Sequence, residues 1–207
     1  RARSAARWII LLSAFAQLLN LAYFAFLPAK VPMHWNIQGQ VDGWMSKSLI
    51  FLPPIVGFIF GMFLVVWPKR KRTGEGLDSM LNLTGLLTCA LFTYIHWCTL
   101  QTAINPSFPA MRMLLGALFI FFGYLGFLIK NIEPNPWAGI RVKWTMKDPI
   151  VWKETHEYAS KLMVGASVLA FLSLLIGAPF FIGLGLILIA PLLPIPFAYK
   201  RYMQRNR

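Results

Sequence analysis

Long apolar runs divide this chain, and short polar segments separate them. Six runs can be read: Trp8–Leu27, Ser48–Trp67, Ser79–Ile104, Met113–Ile129, Leu162–Ala178 and Phe180–Tyr199, none with Asp, Glu, Lys or Arg in its interior. A helix rises about 1.5 Å per residue, so about 20 residues cross a hydrocarbon core of about 30 Å. Lipid offers no partner to backbone N–H and C=O groups, so each run is expected to be a helix. The fold class is therefore an all-α polytopic membrane protein of about six transmembrane helices. Three segments are expected: residues 1–78, a helical hairpin with its connecting loop; 79–130, a second hairpin; and 131–207, a polar segment followed by a third hairpin. Pro191, Pro194 and Pro196 should bend or fray the last span.

Polar residues within the runs fall on stripes. Ser13, Gln17 and Asn20 share one face of the first span, and Thr84, Thr88, His96, Thr99 and Thr102 share one face of the third. Such stripes are expected to bond across helices, with a substrate path as the alternative. Gly57 and Gly61 make a Gly-x-x-x-Gly in the second span, read as an internal close-packing surface. Cys89 and Cys98 lie about 13 Å apart along one helix and are expected to be free and buried.

Charge gives the orientation. Of 20 basic residues, only Lys30, Lys47 and Arg112 fall on the side opposite the N-terminus. The positive-inside rule then puts both termini in the cytoplasm. The run Lys69-Arg70-Lys71-Arg72 is read as a contact to anionic lipid rather than to DNA, so the bilayer is a partner and nucleic acid is not. Trp8, Trp67, Trp137 and Tyr199 sit near span ends, where interfacial anchoring accounts for them. Composition agrees, with 57% hydrophobic residues against 13% charged and a mean hydropathy of +0.60. The first span lacks a small-residue cleavage motif and is expected to be retained; because the sequence opens on Arg1, an initiator Met or short leader is expected before it.

Two polar blocks carry the candidate chemistry. In the outer block, Val31 to Lys47, Met33, Trp35 and Ile37 alternate with His34, Asn36 and Gln38, a period of two that predicts strand. Gly39 and Asp42-Gly43 supply turn chemistry, so a short extracellular hairpin is expected. It is either a structural lid anchored by Trp35 and Trp44 or a ligand-recognition element. The candidate ligand-binding residues are His34, Trp35, Asn36, Gln38, Gly39, Asp42, Gly43 and Lys47.

In the inner block, Asn135 to Lys161, Ile140, Val142 and Trp144 alternate with Arg141, Lys143 and Thr145, which predicts a short strand or extended turn. Asp148-Pro149 reads as an N-cap and first helical residue. The helix should carry Trp152 and His156 one turn apart, pair Glu157 with Lys161, and continue into the fifth span. Arg141 is expected to pair with Asp148 first and Glu154 second. The alternatives are an amphipathic interfacial helix and a cytoplasmic docking surface built from Gly139, Arg141, Trp144, Thr145, Asp148, Trp152 and His156.

Both blocks resemble the SdpI family, bacterial immunity proteins named for protection against a secreted sporulation-delaying toxin. The Val-Pro-Met-His-Trp-Asn run at 31–36 with Asp42-Gly43 resembles its N-terminal signature. Gly139-Ile-Arg, Trp144-Thr145, Asp148, Trp152 and His156 resemble its C-terminal one. The resemblance implies a receptor-like immunity protein of the bacterial plasma membrane, with a secreted peptide toxin as its outer partner and a cytoplasmic repressor as its inner one. A transporter or channel is the alternative, with His96 the sole ionisable group inside a span. No catalytic residues, no cofactor and no metal site are expected: there is no His-Glu-x-x-His, and His34, His96 and His156 fall outside, within and inside the membrane respectively.

Overall fold

The computed structural model describes residues 2–71 and 75–206, with side chains at 2 and 67–75 left aside. The expectations for the side chains of Trp67 and of the Lys69–Arg72 run therefore lie outside what is described. Among the described residues, six stretches are mostly helical and are long and apolar enough to cross a membrane: Arg3–Tyr23, Lys47–Val66, Gly76–Ile104, Ala110–Ile129, Pro149–Leu175 and Phe180–Arg205. This is a multi-pass membrane protein. Helices α1 (Ala2–Tyr23), α2 (Leu52–Lys71), α3 (Glu75–Ile104) and α4 (Ala110–Ile129) precede α5 (Lys143–Lys147), α6 (Pro149–Leu175), α7 (Phe180–Ile189) and α8 (Pro194–Arg205). A two-stranded antiparallel sheet, β1 (Lys30–Trp35) and β2 (Val41–Ser46), stands between α1 and α2.

The last span is split, as its prolines predict. Helix α7 ends at Ile189, residues 190–193 form turns, and α8 begins on Pro194. The tight connection before it works because Gly177 takes φ +76°, and the Ala178 N–H bonds back to the Ser173 carbonyl at 2.9 Å. A left-handed residue after a helix end caps carbonyls that would otherwise be orphaned.

The chain forms two compact units. The first comprises residues 1–72 and 78–118; the second comprises 73–77 and 119–207. In the first unit the Gly-x-x-x-Gly of α2 meets α3. A Cβ at Gly61 would stand 2.8 Å from the Gly85 carbonyl oxygen, and one at Gly57 would stand 2.5 Å from Phe92 Cβ. Reciprocally, a Cβ at Gly85 would stand 2.6 Å from the Gly61 carbonyl oxygen, so two backbones touch here. The motif is an internal packing surface, and Gly85 is a partner its spacing did not reveal. Cys89, free and buried, packs with Ala5, Ile9 and Val65.

The polar stripe of α1 bonds across helices. Gln17 Nε2 donates to the Phe51 carbonyl at 3.0 Å, Asn20 Nδ2 donates to the Ile50 carbonyl at 3.3 Å, and Ser13 Oγ lies 3.5 Å from Cys89 Sγ. The α3 stripe departs from expectation. Thr99 and Thr102 donate to the Ile95 and Cys98 carbonyls of their own helix, at 3.2 and 2.9 Å. A threonine hydroxyl reaches the carbonyl one turn back without a neighbour, and here that local bond wins.

In the second unit, glycines let other elements approach. Ser167 Oγ donates to the Phe119 carbonyl at 2.6 Å, directly over Gly123. A Cβ at Gly126 would stand 2.6 Å from Met163 Cβ, and one at Gly183 would stand 2.6 Å from the Phe119 ring. Gly165 and Gly185 have nothing within 4 Å of an added Cβ. Accordingly, Gly61→Val and Gly126→Val should lower stability by about 1–3 kcal/mol or abolish folding. Gly165→Ala and Gly185→Ala should leave it unchanged or slightly raised. Thermal unfolding of purified protein in one detergent compares the four; equal losses at all of them would contradict the packing described.

Candidate functional site

The outer block folds as the expected hairpin. Val31 opposes Met45, Pro32 opposes Trp44, His34 opposes Gly43, and irregularities in register flank His34. Asn36 builds the turn. Its Oδ1 accepts from the Gln38 and Gln40 N–H groups, each at 3.0 Å, and the Gly39 N–H donates to the Asn36 carbonyl. Gly39 sits at φ +82°, a conformation that favours glycine. Gly43 is required by contact: a Cβ there would stand 2.7 Å from His34 Cβ.

The polar side chains of this block are largely committed to the hairpin itself. His34 Nδ1 lies 2.5 Å from Asp42 Oδ1, bridging the strands. Lys47 points its ammonium at the Phe24 and Leu27 carbonyls, at 3.4 and 3.5 Å, and lies over the Phe24 ring. It thereby ties the hairpin's base to the segment that follows α1, where carbonyls lack helical partners. Val31 and Met45 face the cluster of Leu27, Ile50 and Leu100. Trp35 is half-buried. What the hairpin leaves open is mainly apolar: Met33, Ile37 and Trp44 are each more than half exposed, and Gln38 is exposed as well.

The inner block is a second self-contained framework, within the second unit. Its first part is a turn on Asn135, whose Oδ1 accepts from the Trp137 and Ala138 N–H groups at 2.8 Å. Trp152, on α6, is buried and donates Nε1 to the Ile132 carbonyl at 2.6 Å. His156, one turn along, stacks on Trp152 with ring centroids 4.1 Å apart. Its Nδ1 faces the Trp152 carbonyl at 2.7 Å, and its Nε2 accepts the Ile140 N–H at 2.9 Å. A carbonyl only accepts and an N–H only donates, so these partners fix the neutral tautomer with the proton on Nδ1. Gly139 completes the lock. It has φ +113°, and a Cβ there would stand 2.5 Å from His156 Nε2.

The extended segment expected around Ile140–Thr145 is instead a turn into a short helix, α5. Thr145 is the reason. Its hydroxyl donates to the Ile140 carbonyl at 2.7 Å and accepts from the Val142 N–H at 3.1 Å, which folds the strand-like alternation back on itself. Asp148 does cap α6, accepting from the Ile150 and Val151 N–H groups at 2.8 and 3.3 Å, with Pro149 first in the helix.

The expected partners of Arg141 are taken. Asp148 Oδ2 receives Arg205 Nε at 2.8 Å, and Glu154 receives Arg201 in a two-pronged contact at 2.6 and 2.7 Å. Arg141 is exposed, and no carboxylate among the described residues pairs with it. Glu157 likewise reaches back to Lys153, at 4.0 Å, rather than forward to Lys161. Trp144 packs edge-on against Tyr199 of α8 at 5.2 Å. Helix α8 is thus pinned to the start of α6 by two arginines one turn apart. Arg205 and the two N–H groups hold the Asp148 carboxyl below the usual carboxylate range. A depressed folded-state pKa means that this contribution is complete above the unfolded value of about 3.9 and is lost as pH falls through the folded one.

Among the described residues, no three of His, Cys, Asp and Glu come together in a way that could hold a metal ion. Six apolar helices carrying one hairpin and one folded polar segment define the class: a multi-pass membrane protein with structured connections. Comparison with known proteins narrows it. The SdpI/YfhL protein family model matches residues 131–198, and a domain of unknown function (DUF1648) matches residues 9–58. The immunity protein SdpI of Bacillus subtilis (strain 168) is 25% identical over 203 residues, 95% of each chain. By its motifs, by the family model and by this alignment, the chain is similar to the SdpI family. No solved structure matches.

The lock at Gly139 makes a direct test. Gly139→Ala should release residues 131–147 from α6, through both the φ of position 139 and the clash with His156. Limited proteolysis in detergent should cleave this segment at least tenfold faster than in the wild type while the transmembrane helices stay intact, a local opening of about 1.4 kcal/mol or more. Unchanged cleavage would mean that the His156–Ile140 bond does not hold the segment.

Proposed function

We propose that this chain is a membrane immunity protein that protects its cell from a secreted peptide toxin. The alignment with an immunity protein along 95% of both chains carries the reading. In this proposal both termini are cytoplasmic, on the strength of the basic residues, and the hairpin faces outward. The hairpin turns its polar groups to its own architecture and exposes Met33, Ile37 and Trp44. That surface suits an amphipathic peptide arriving along the bilayer. His34, Asn36, Asp42, Gly39, Gly43 and Lys47 then act by holding the shape, while Trp35, half-buried, seats it and Gln38 offers a polar contact.

On the inner side, Arg141 is exposed and pairs with no carboxylate among the described residues. Its five-donor fork suits a carboxylate on a cytoplasmic repressor. Gly139, Trp144, Thr145, Asp148, Trp152 and His156 hold the surface around it in place. Transmission from hairpin to inner surface would require two states of the helices with different affinity for the toxin.

The test is survival. Toxin-sensitive cells expressing the protein should survive exposure to the toxin. A Met33→Ser, Trp44→Ser double variant should lose most protection at normal membrane abundance, whereas Lys143→Ala should retain it. Arg141→Ala should retain survival but lose membrane recruitment of the repressor. In the same cells, an impermeant thiol reagent should label a cysteine placed at Gln38 and not one at Lys147. Labelling at 147 from outside would reverse the orientation. Full protection from the double variant would remove the hairpin surface from toxin recognition.

A further inference from the structure

His96 is fully buried in α3, and neither ring nitrogen has a hydrogen-bond partner among the described residues. Asn20 in α1 is equally buried, and its Oδ1 is also unpartnered. The register of α1 against α3 brings the two to one level of the first unit. Helices α1 and α3 run parallel there: Cys89 contacts Ile9 and Ser13, and further along Leu19 and Tyr23 pack in the cluster that holds Leu100. Seven residues on from Ser13 is Asn20, and seven on from Cys89 is His96. Seven residues are two turns, about 10.5 Å of rise with about 20° of rotational drift, so both stay on the facing sides at one level. A second path agrees. Asn20 bonds the Ile50 carbonyl, Ile50 packs with Leu100, and Leu100 is one helical turn from His96.

The chemistry of these atoms is complementary. Both protons of the Asn20 amide are spent on acceptors, Gln17 Oε1 at 2.9 Å and the Ile50 carbonyl at 3.3 Å. The carboxamide cannot flip without setting oxygen against oxygen, so Oδ1 is fixed as an acceptor in want of a donor. A neutral imidazole offers one N–H in want of an acceptor and one bare nitrogen. A group that both accepts and donates satisfies the imidazole N–H and Asn20 Oδ1 together, and buried polar atoms left unpaired are rare. We infer that Asn20 and His96 form an internal binding site for a water molecule, which accepts from the His96 ring N–H and donates to Asn20 Oδ1. The site lies beneath the hairpin, because the same Ile50 and Leu100 cluster supports Val31 and Met45. It joins α1 and α3 through a polar contact that the Asn20 and His96 side chains do not make directly.

The experiment is solid-state NMR on full-length protein in bilayers with ¹⁵N-labelled histidine. The His96 signals are identified by their loss in His96→Gln. The expected spectrum shows one protonated ring nitrogen that receives magnetisation from a slowly exchanging water. In Asn20→Ala, that transfer should fall at least twofold. Absence of water transfer in the wild type overturns the site, as does transfer from the Asn20 carboxamide alone. A transfer undiminished in a folded Asn20→Ala removes Asn20 from it. If that variant does not fold, the wild-type spectrum decides.

Discussion

Lipid cannot hydrogen-bond a peptide group, and the organisation of this chain follows from that constraint. Each apolar run closes its own backbone as a helix. Chain that is not helical must find partners before it meets the membrane or within its own fold. The hairpin does so by pairing strands and spending the Asn36 side chain on two backbone N–H groups. The inner segment does so with side chains lent by α6 and α5. Trp152 reaches the Ile132 carbonyl, His156 takes the Ile140 N–H, and Thr145 takes the Val142 N–H. The two polar blocks therefore owe much of their composition to backbone satisfaction. Recognition is left to the few side chains that this leaves over.

That division separates two roles within each motif. Gly39, Gly43 and Gly139 are positions where a Cβ has no conformation or no room. Lys47 holds carbonyls and Asp148 holds amides. Met33, Ile37, Trp44 and Arg141 have no such duty and face outward. Similarity to an immunity protein says what such a molecule is used for; the hydrogen bonds say which side chains are available for that use.

Much of this was legible from residue order. The spans followed from runs without charge, the hairpin from a period of two around Gly39, and the α6 cap from Asp148-Pro149. What failed depended on which partner each side chain takes, near or far along the chain. Ile140, Val142 and Trp144 alternate like a strand, and only the reach of the Thr145 hydroxyl turns them into a helix start. Arg141 has acids nearby in sequence, yet Glu154 and Asp148 bind arginines 47 and 57 residues away. Arg201 and Arg205 looked like ordinary cytoplasmic charge, and no local pattern marks them as partners. The α3 threonines had a stripe that suggested bonds to neighbours, but Thr99 and Thr102 could satisfy themselves. That left His96, whose spacing beside them implied a partner, without one among the described residues.

The central claim is that both polar blocks are fixed frameworks rather than loose connections. Amide hydrogen exchange of the protein in lipid nanodiscs, resolved to single residues, tests it most directly. The account predicts slow exchange for the amides of Gln40, Ala138, Ile140 and Val142, at least a hundredfold below unstructured rates, an opening free energy of about 2.7 kcal/mol or more. Exchange of these four amides at the rate of an unfolded chain would contradict it.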